Sequence, residues 1–319
     1  MKLDFLPLFL FTTSTKQCNF PTSSSTTTAT TLLSELNTQT QLCEHQHHKH
    51  AGVSRHSRRD VISSLPTSLI FISSLLVNKP EKCQAIESSE AEISYDKYAK
   101  TYDDLDGGSI ADKLGIVQAR SNLIGQARGK VLEVAVGTGL NLSKYKFASS
   151  PSAMDGVTSL TLLDISDGML SEAKAKFDGM EKAGIVPSFV NVEFIKADAT
   201  ASDVTTMFGE NAFDTVVDTF SLCVMGNEGA KRCLQQMRNV VKKQSDGGQI
   251  LLIENSRSSN SFLGWYQDIT AEAAASAGGK GCVSNQNVKS FIENIDGLQL
   301  EKEEEFASGF FRSFVCTKM

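Results

Sequence analysis

The chain predicts an α/β fold built on a mostly parallel sheet, and two observations carry that prediction. Five short apolar runs, over 131–135, 160–164, 192–197, 213–220 and 249–254, alternate with segments of helical pattern near 140–145, 168–180, 201–208 and 228–241. Strands that alternate with helices need right-handed crossovers, which produce parallel pairing. Near the end the alternation stops. Residues 298–306 and 310–316 flank Ala307-Ser308-Gly309 with no room for a helix, so they pair as an antiparallel hairpin. A domain over 90–319 has ample material for a core.

Residues 1–85 read as a leader outside this fold. They carry eight Lys/Arg against five Asp/Glu, a net of +3, whereas the remainder has 23 basic and 32 acidic residues, a net of −9. The first thirty residues contain one acid, Asp4, and a Ser/Thr tract from Thr22 to Thr28. Such a segment cannot bury enough apolar surface to fold, and it has the composition of an organelle transit peptide. Arg58-Arg59 then precede an apolar stretch over 61–77 and a small-residue cleavage candidate at Cys83-Gln84-Ala85. That combination resembles a twin-arginine signal. In tandem the two parts resemble the bipartite address of plant thylakoid proteins. The expected location is therefore the chloroplast, with thylakoid association, and the mitochondrion is the alternative. Pro66 and six Ser/Thr residues make 61–77 a poor spanning helix, which needs about 20 apolar residues.

All five histidines, His45, His47, His48, His50 and His56, fall in the leader. The domain beyond it has no imidazole for general-base catalysis or metal ligation. Cys223, Cys233, Cys282 and Cys316 show no Cys-x-x-Cys spacing, so neither a metal nor dithiol chemistry is expected. The acidic balance argues against a nucleic-acid partner, which would need a basic face.

Taken in order, the first element of the domain is Tyr95-Asp-Lys-Tyr98-Ala-Lys-Thr-Tyr102-Asp103. It places Tyr98 and Tyr102 four apart on one helix face, either as cover for the sheet or as a lid over a ligand. The first strand follows in Lys130-Val-Leu-Glu-Val-Ala-Val-Gly-Thr-Gly139, an apolar run that carries one acid into a tight turn. Gly137 and Gly139 lack a Cβ, so the chain can turn sharply and approach a ligand closely. Glu133 is costly in an apolar strand without a partner, which assigns it to the site. At the carboxyl edge of a first strand, such a turn presents bare backbone to a nucleoside. A dinucleotide loop would have a third glycine where this chain has Leu142, and no phosphate loop is present.

The second strand ends in Asp164-Ile165-Ser166-Asp-Gly-Met169. A carboxylate there can accept hydrogen bonds from vicinal ribose hydroxyls, and Ser166 is placed to cap the next helix. Residues 148–159 read as a looped insertion. The third strand ends in Lys196-Ala-Asp198-Ala199, where the Asp can take an adenine amino group and the Ala199 N–H a ring nitrogen; a turn-initiating Asp is the alternative. The fourth strand runs into Asp218-Thr-Phe220-Ser221-Leu-Cys223 at the centre of the active edge. Burial would raise the pKa of Asp218, which is either a helper for the substrate or a hydrogen-bonded structural acid. Ser221 and Cys223 are candidates for the pocket wall. Trp265, Tyr266 and the tail Phe306-Ala-Ser-Gly-Phe310-Phe311 either shape a substrate opening or pack on the sheet.

Glu133-x-x-x-Gly137-x-Gly139 resembles the first motif of the class I S-adenosylmethionine-dependent methyltransferases, a family that usually has Gly in place of Ala135. Asp164-x-x-x-x-Met169, Asp198 and Phe213-Asp214 follow in the family's order. The Tyr-Asp-x-x-Ala-x-x-Tyr-Asp segment is similar to the opening of ubiquinone/menaquinone-type enzymes. Across 93–319 the chain resembles the type 11, quinone-biosynthesis-like branch with its organellar methyltransferase-like proteins of plants. The resemblance implies a Rossmann-like seven-stranded sheet of order 3-2-1-4-5-7-6, strand 7 antiparallel, with helices on both faces. It implies S-adenosyl-L-methionine as cofactor, held by Tyr98, Glu133, Ala135, Gly137, Gly139, Asp164, Ile165, Met169, Asp198, Ala199 and Phe220. Asp218 and Ser221 would position the substrate.

The implied chemistry is in-line displacement of the sulfonium methyl without a metal, and positioning alone can contribute roughly 7–11 kcal/mol to such a step. The expected acceptor is a small lipophilic quinone, phenol or thiol, with peripheral membrane association as a corollary. Two alternatives come from other classes. One is a weak or inactive assembly factor that keeps the cofactor fold. The other is an aminopropyl transferase, which would need a second acid beside Asp218. A nicotinamide dehydrogenase is disfavoured by Leu142.

Overall fold

The computed structural model describes residues 88–103, 109–201, 204–277 and 281–319, without the side chains of 109, 110 and 272–277. The leader, with its histidines and the expected boundary at residue 85, lies outside the described residues. The domain opens with α1 (Ser88–Tyr98), a 3-10 turn (Ala99–Thr101), α2 (Ser109–Lys113) and α3 (Ile116–Ile124). Strands and helices then alternate through β1 (Gly129–Val134), β2 (Val157–Asp164), α4 (Asp167–Lys182), β3 (Asn191–Lys196), α5 (Val204–Phe208), β4 (Thr215–Thr219), α6 (Gly226–Val240) and β5 (Gln249–Asn255). Helices α7 (Ser261–Ala277) and α8 (Val288–Glu293) precede the hairpin of β6 (Leu298–Phe306) and β7 (Phe311–Lys318).

The seven strands form one sheet in the order β3-β2-β1-β4-β5-β7-β6. Pairing is parallel from β3 through β5, and β7 runs antiparallel to both its neighbours. Strand order reverses between β1 and β4, which opens a crevice beyond their carboxyl ends, where open α/β sheets bind ligands.

Alternation along the strands separates two cores. Leu132, Val134 and Val216 face one core with Ala230, Cys233, Leu234, Met237 and Val240 of α6, whose three-and-four spacing forms a single helix stripe. Val131, Leu160, Leu162 and Val217 face the other, with Leu170, Ala173 and Phe177 of α4. Helix α4 begins where the Ser166 hydroxyl accepts the Met169 N–H at 3.0 Å, which satisfies one of the open donors of the first turn.

The structure departs from the sequence reading at several elements. The helix expected over 140–145 is only a 3-10 turn, Leu142–Lys144. The chain must return at once to bridge Phe147 to Val157, which leaves no length for a full α-helix. The same bridge starts β2 at Val157 and shortens the looped insertion. The fourth strand begins at Thr215, because Phe213 pairs instead with Val241. Helices α2, α3, α7 and α8 were not foreseen. Among the described residues no helix is long and apolar enough to cross a membrane, and no group of three or more His, Cys, Asp or Glu side chains is arranged to hold a metal ion.

Candidate cofactor site

The carboxyl ends of β1, β2, β3 and β4 open on a cavity of about 890 Å³. That volume lies in the range of small-molecule sites. Its floor is the turn after β1. Ala135 (φ 50°), Gly137 (φ 57°) and Gly139 (φ 80°) all have left-handed backbone. A Cβ on Gly137 would touch nothing within 4 Å, so this edge is open toward the cavity. Gly139 serves the opposite side: a Cβ there would meet Leu142 Cδ1 at 2.6 Å and the Ala173 backbone at 3.2 Å. It permits close packing of the turn on α4 and does not line the cavity, contrary to expectation.

Asp164 holds the turn in place. Its Oδ2 accepts the Gly137 N–H at 2.8 Å and its Oδ1 the Ser166 N–H at 2.9 Å. Burial pushes its pKa up to about 6, and the backbone donors from Ser166 and Gly137 oppose that rise. Asp164, Ile165 and Met169 line one wall. Asp198 and Ala199 line the next, with Asp198 accepting the Thr200 N–H and hydroxyl, each at 2.7 Å. Burial alone would raise the pKa of Asp198, but hydrogen bonds from Ser88 and Thr200 outweigh it and hold the carboxyl below the usual range. Phe220, also left-handed at φ 63°, and Ser221 form the wall after β4.

Three other expected residues lie elsewhere. Glu133 is buried beneath the turn and accepts from Asn141 Nδ2 at 2.8 Å and from the Tyr145 hydroxyl at 2.7 Å. Burial pushes its pKa up to about 7 against those two donors and the nearby Arg120. It braces the loop and is not a cavity residue. Tyr98 is also not a cavity residue; Tyr95 and Tyr102 are, with ring centroids 6.3 Å apart. The α-helix stops at Tyr98 and tightens to a 3-10 turn, which replaces the expected four-residue face with a seven-residue one. Asp218 is wholly buried under Ser221 and does not reach the cavity.

Part of the lining comes from residues that no sequence motif marks. Ser88 and Ala91 of α1, Met225–Asn227 at the start of α6, and Asn285–Asn287 before α8 all contribute. Tyr95 and Tyr102 carried a usable signal, being two helical turns apart. Residues 285–287 have no periodicity to read.

Helix α1 and its 3-10 extension cover the cavity through polar links. Asp96 accepts from the Ser166 hydroxyl at 2.5 Å and the Gly168 N–H at 2.9 Å. Lys196 pairs with Glu92 at 2.7 Å, Lys176 with Asp103 at 2.5 Å, and the Thr138 hydroxyl donates to Asp103 at 2.5 Å. Trp265 does not border the cavity. With Phe262 and Ile269 it forms an exposed stripe on α7, where each residue is more than half exposed. The tail phenylalanines reach the site only indirectly, through Phe311, which packs edge-on against Phe220 at 5.6 Å and stacks on Phe306.

A left-handed glycine turn tied to an acid on β2, beside an acid–alanine pair after β3, suits a nucleoside that carries no phosphate. The family model described as "Methyltransferase domain" matches residues 131–244, from β1 to just past α6. The domain belongs to the class I S-adenosylmethionine-dependent methyltransferases. The cofactor of this family is S-adenosylmethionine.

Among curated relatives of this methyltransferase domain is the mitochondrial methyltransferase OMS1 of Saccharomyces cerevisiae. It is 27% identical over 58% of this chain and 37% of its own length. The ubiquinone/menaquinone biosynthesis C-methyltransferase UbiE of Pseudomonas putida is 24% identical over 55% of this chain and 60% of its own. The phosphatidylethanolamine N-methyltransferase of Cereibacter sphaeroides is 30% identical over 45% and 66%. The chain thus spans from just over a third to about two thirds of the length of these relatives.

Proposed function

We propose that the chain transfers the methyl group of S-adenosylmethionine to a small lipophilic acceptor of the quinol, phenol or thiol type, in an organelle. The carrying observation is the Ala135–Gly137 turn, pinned by Asp164 and open to a cavity of nucleoside size. Asp164 would hold the ribose hydroxyls with its remaining lone pairs, and Asp198 with the Ala199 N–H would hold the base. When bound, the cofactor supplies a methyl group already activated by a positively charged sulfur. The chain then needs to align an acceptor and keep water out. Phe220 and Ser221 stand where the acceptor would enter, and α1 with Tyr95 and Tyr102 covers the cavity.

Two relatives are named for ubiquinone/menaquinone biosynthesis and for phosphatidylethanolamine, which supports a lipophilic acceptor. The exposed Phe262, Trp265 and Ile269 stripe supports peripheral membrane contact, since such rings favour the bilayer interface. An organelle is supported by the transit-peptide composition of 1–85 and by a relative named as mitochondrial. Within that reading we favour the plastid, and a fluorescent fusion of residues 1–85 in plant cells would separate it from the mitochondrion.

Calorimetry of the full chain with S-adenosylhomocysteine and NAD tests the cofactor, with micromolar binding of the first alone expected. Labelled methyl transfer to hydroquinone, phenol and thiol lipids tests the acceptor, and label found only on protein or RNA would reject it. Binding without turnover across that set would favour the non-catalytic assembly factor.

A further inference from the structure

Beneath Ser221 the structure places two carboxyls that nothing in the cofactor site explains. Asp218 and Glu254 are both fully buried. Asp218 pairs with Leu252 across β4 and β5, so Glu254, two residues on, shares its face of the sheet. Both Asp218 oxygens, Glu254 Oε2 and the Ser221 hydroxyl are buried without a hydrogen bond of good geometry, although the Ser221 hydroxyl and Glu254 both lie close to Asp218. A backbone contact ties Glu254 to Ser221: Glu254 Oε1 accepts the Ser221 N–H at 3.1 Å. Ser221 follows the left-handed Phe220 and borders the cavity.

Glu133 on β1 and Cys223 in the turn act on the pair, and both carboxyls act on Cys233 of α6. The nearby cation, Arg120 on α3, donates to the Thr219 hydroxyl on the other face of β4. Two buried carboxylates without a cation cannot both be ionised, because each charge lacks solvation and repels the other. One proton must stay on the pair. Burial first, and then Glu133, push Asp218 up to about 7, with Ser221 and Glu254 near enough to oppose the rise in part. Glu254 is held well above the carboxylate range by burial and by Asp218. This second acid does not rescue an aminopropyl transferase, since neither carboxyl reaches the cavity to hold a polyamine.

We propose that Asp218 and Glu254 share a proton behind Ser221, and that the pair accepts, through the Ser221 hydroxyl, the proton that the acceptor gives up on methylation. This rests on the methyl-transfer reading above. As the acceptor–carbon bond forms and the carbon–sulfur bond breaks, the acceptor hydroxyl or thiol loses a proton to Ser221 Oγ. Ser221 passes its own proton to the singly ionised pair, and the neutral pair later returns it to solvent. A domain without histidine gains in this way a proton acceptor poised near neutrality.

Infrared pH titration of the full chain with no ligand tests the pair by itself. The carbonyl band of a protonated carboxylic acid should persist at pH 6.5 to 7, and Asp218→Asn and Glu254→Gln should each remove or shift it. Because Glu133 contributes to the same band, a band that neither substitution changes overturns the proposal whatever the turnover. Methyl transfer to a short-chain hydroquinone tests the relay. Glu254→Gln keeps an oxygen for the Ser221 N–H, Ser221→Ala removes only the hydroxyl, and Ser221→Thr restores one. The first two should lower kcat on the order of 100-fold with little change in KM, and threonine should recover most of it. The acid limb of the pH–rate profile near 7 should disappear in Glu254→Gln. Unchanged kcat and pH profile in both variants overturn the relay. A band without methyl transfer in the wild type, S-adenosylhomocysteine still binding, would sink the methyl-transfer reading and the relay with it, while leaving the shared proton standing.

Discussion

Asp164 and Asp218 are both aspartates buried at or near the carboxyl end of a parallel strand, and their surroundings differ in their donors and in their neighbours. Asp164, at the end of β2, has each oxygen met by a backbone N–H. Asp218, inside β4, has no hydrogen bond of good geometry at either oxygen, with the Ser221 hydroxyl and Glu254 close by. Burial raises both, to about 6 and about 7 respectively, and the backbone donors account for part of the gap. A satisfied buried acid is a structural pin. An unsatisfied one beside a second acid is a place for a proton. On the proposed reading, the same residue type serves the cofactor turn on one side of the sheet's switch point and the acceptor side on the other.

The largest effect that could break this contrast should come from Asp164→Ala. It strands two N–H groups and frees the turn, so we expect a loss on the order of 3 kcal/mol in urea denaturation. S-adenosylhomocysteine binding should weaken more than tenfold. Asp218→Asn should do the reverse. The fold raises this group from 3.8 to about 7, so it favours the neutral form; the group's contribution to stability is greatest below about pH 4 and is lost as pH rises through 7. The asparagine variant lacks that loss. It should gain on the order of 2 kcal/mol at pH 8 and little or nothing at pH 5. Parallel stability–pH curves for the two proteins would refute the contrast.

Smaller effects sharpen it. Tyr95→Ala should weaken S-adenosylhomocysteine binding by about tenfold and Tyr98→Ala by less than threefold, because only the first ring borders the cavity. Equal losses in calorimetry would place the cover differently. The smallest expected change is a gain. Ala135 sits at φ 50°, where an L-residue is strained by about 1 kcal/mol. Ala135→Gly relieves the strain but gives the unfolded chain more freedom, for a net gain of about 0.5 kcal/mol in thermal denaturation.

What was legible in the chain follows from how local each signal is. The β1 turn, Asp164 and Asp198 lie at strand ends, so short motifs place them, and the parallel order followed from strands alternating with helices. Ala135 stands where the resembled family usually has Gly, and its left-handed backbone shows what the substitution costs. Glu133 looked like a ligand because an acid in a strand needs a partner. The partners turned out to be Asn141 and Tyr145, on a loop whose path the motif does not specify. Glu254 was invisible as a partner of Asp218 because their shared face depends on the register of β4 against β5, which one strand alone does not encode. Tyr98 and Tyr102 share a face only on a continuous α-helix, and the helix ends at Tyr98, so Tyr95 takes the place beside Tyr102.

Helix α1 and the residues that follow it are fastened over the cavity in part by carboxylates, lysines and hydroxyls at a half-exposed margin. Fastenings of that kind are screened within about 10 Å at 0.1 M salt. Ionic strength therefore becomes a throttle on traffic through the domain: brine should hasten both the arrival and the escape of the nucleoside, while the buried chemistry below feels almost none of it.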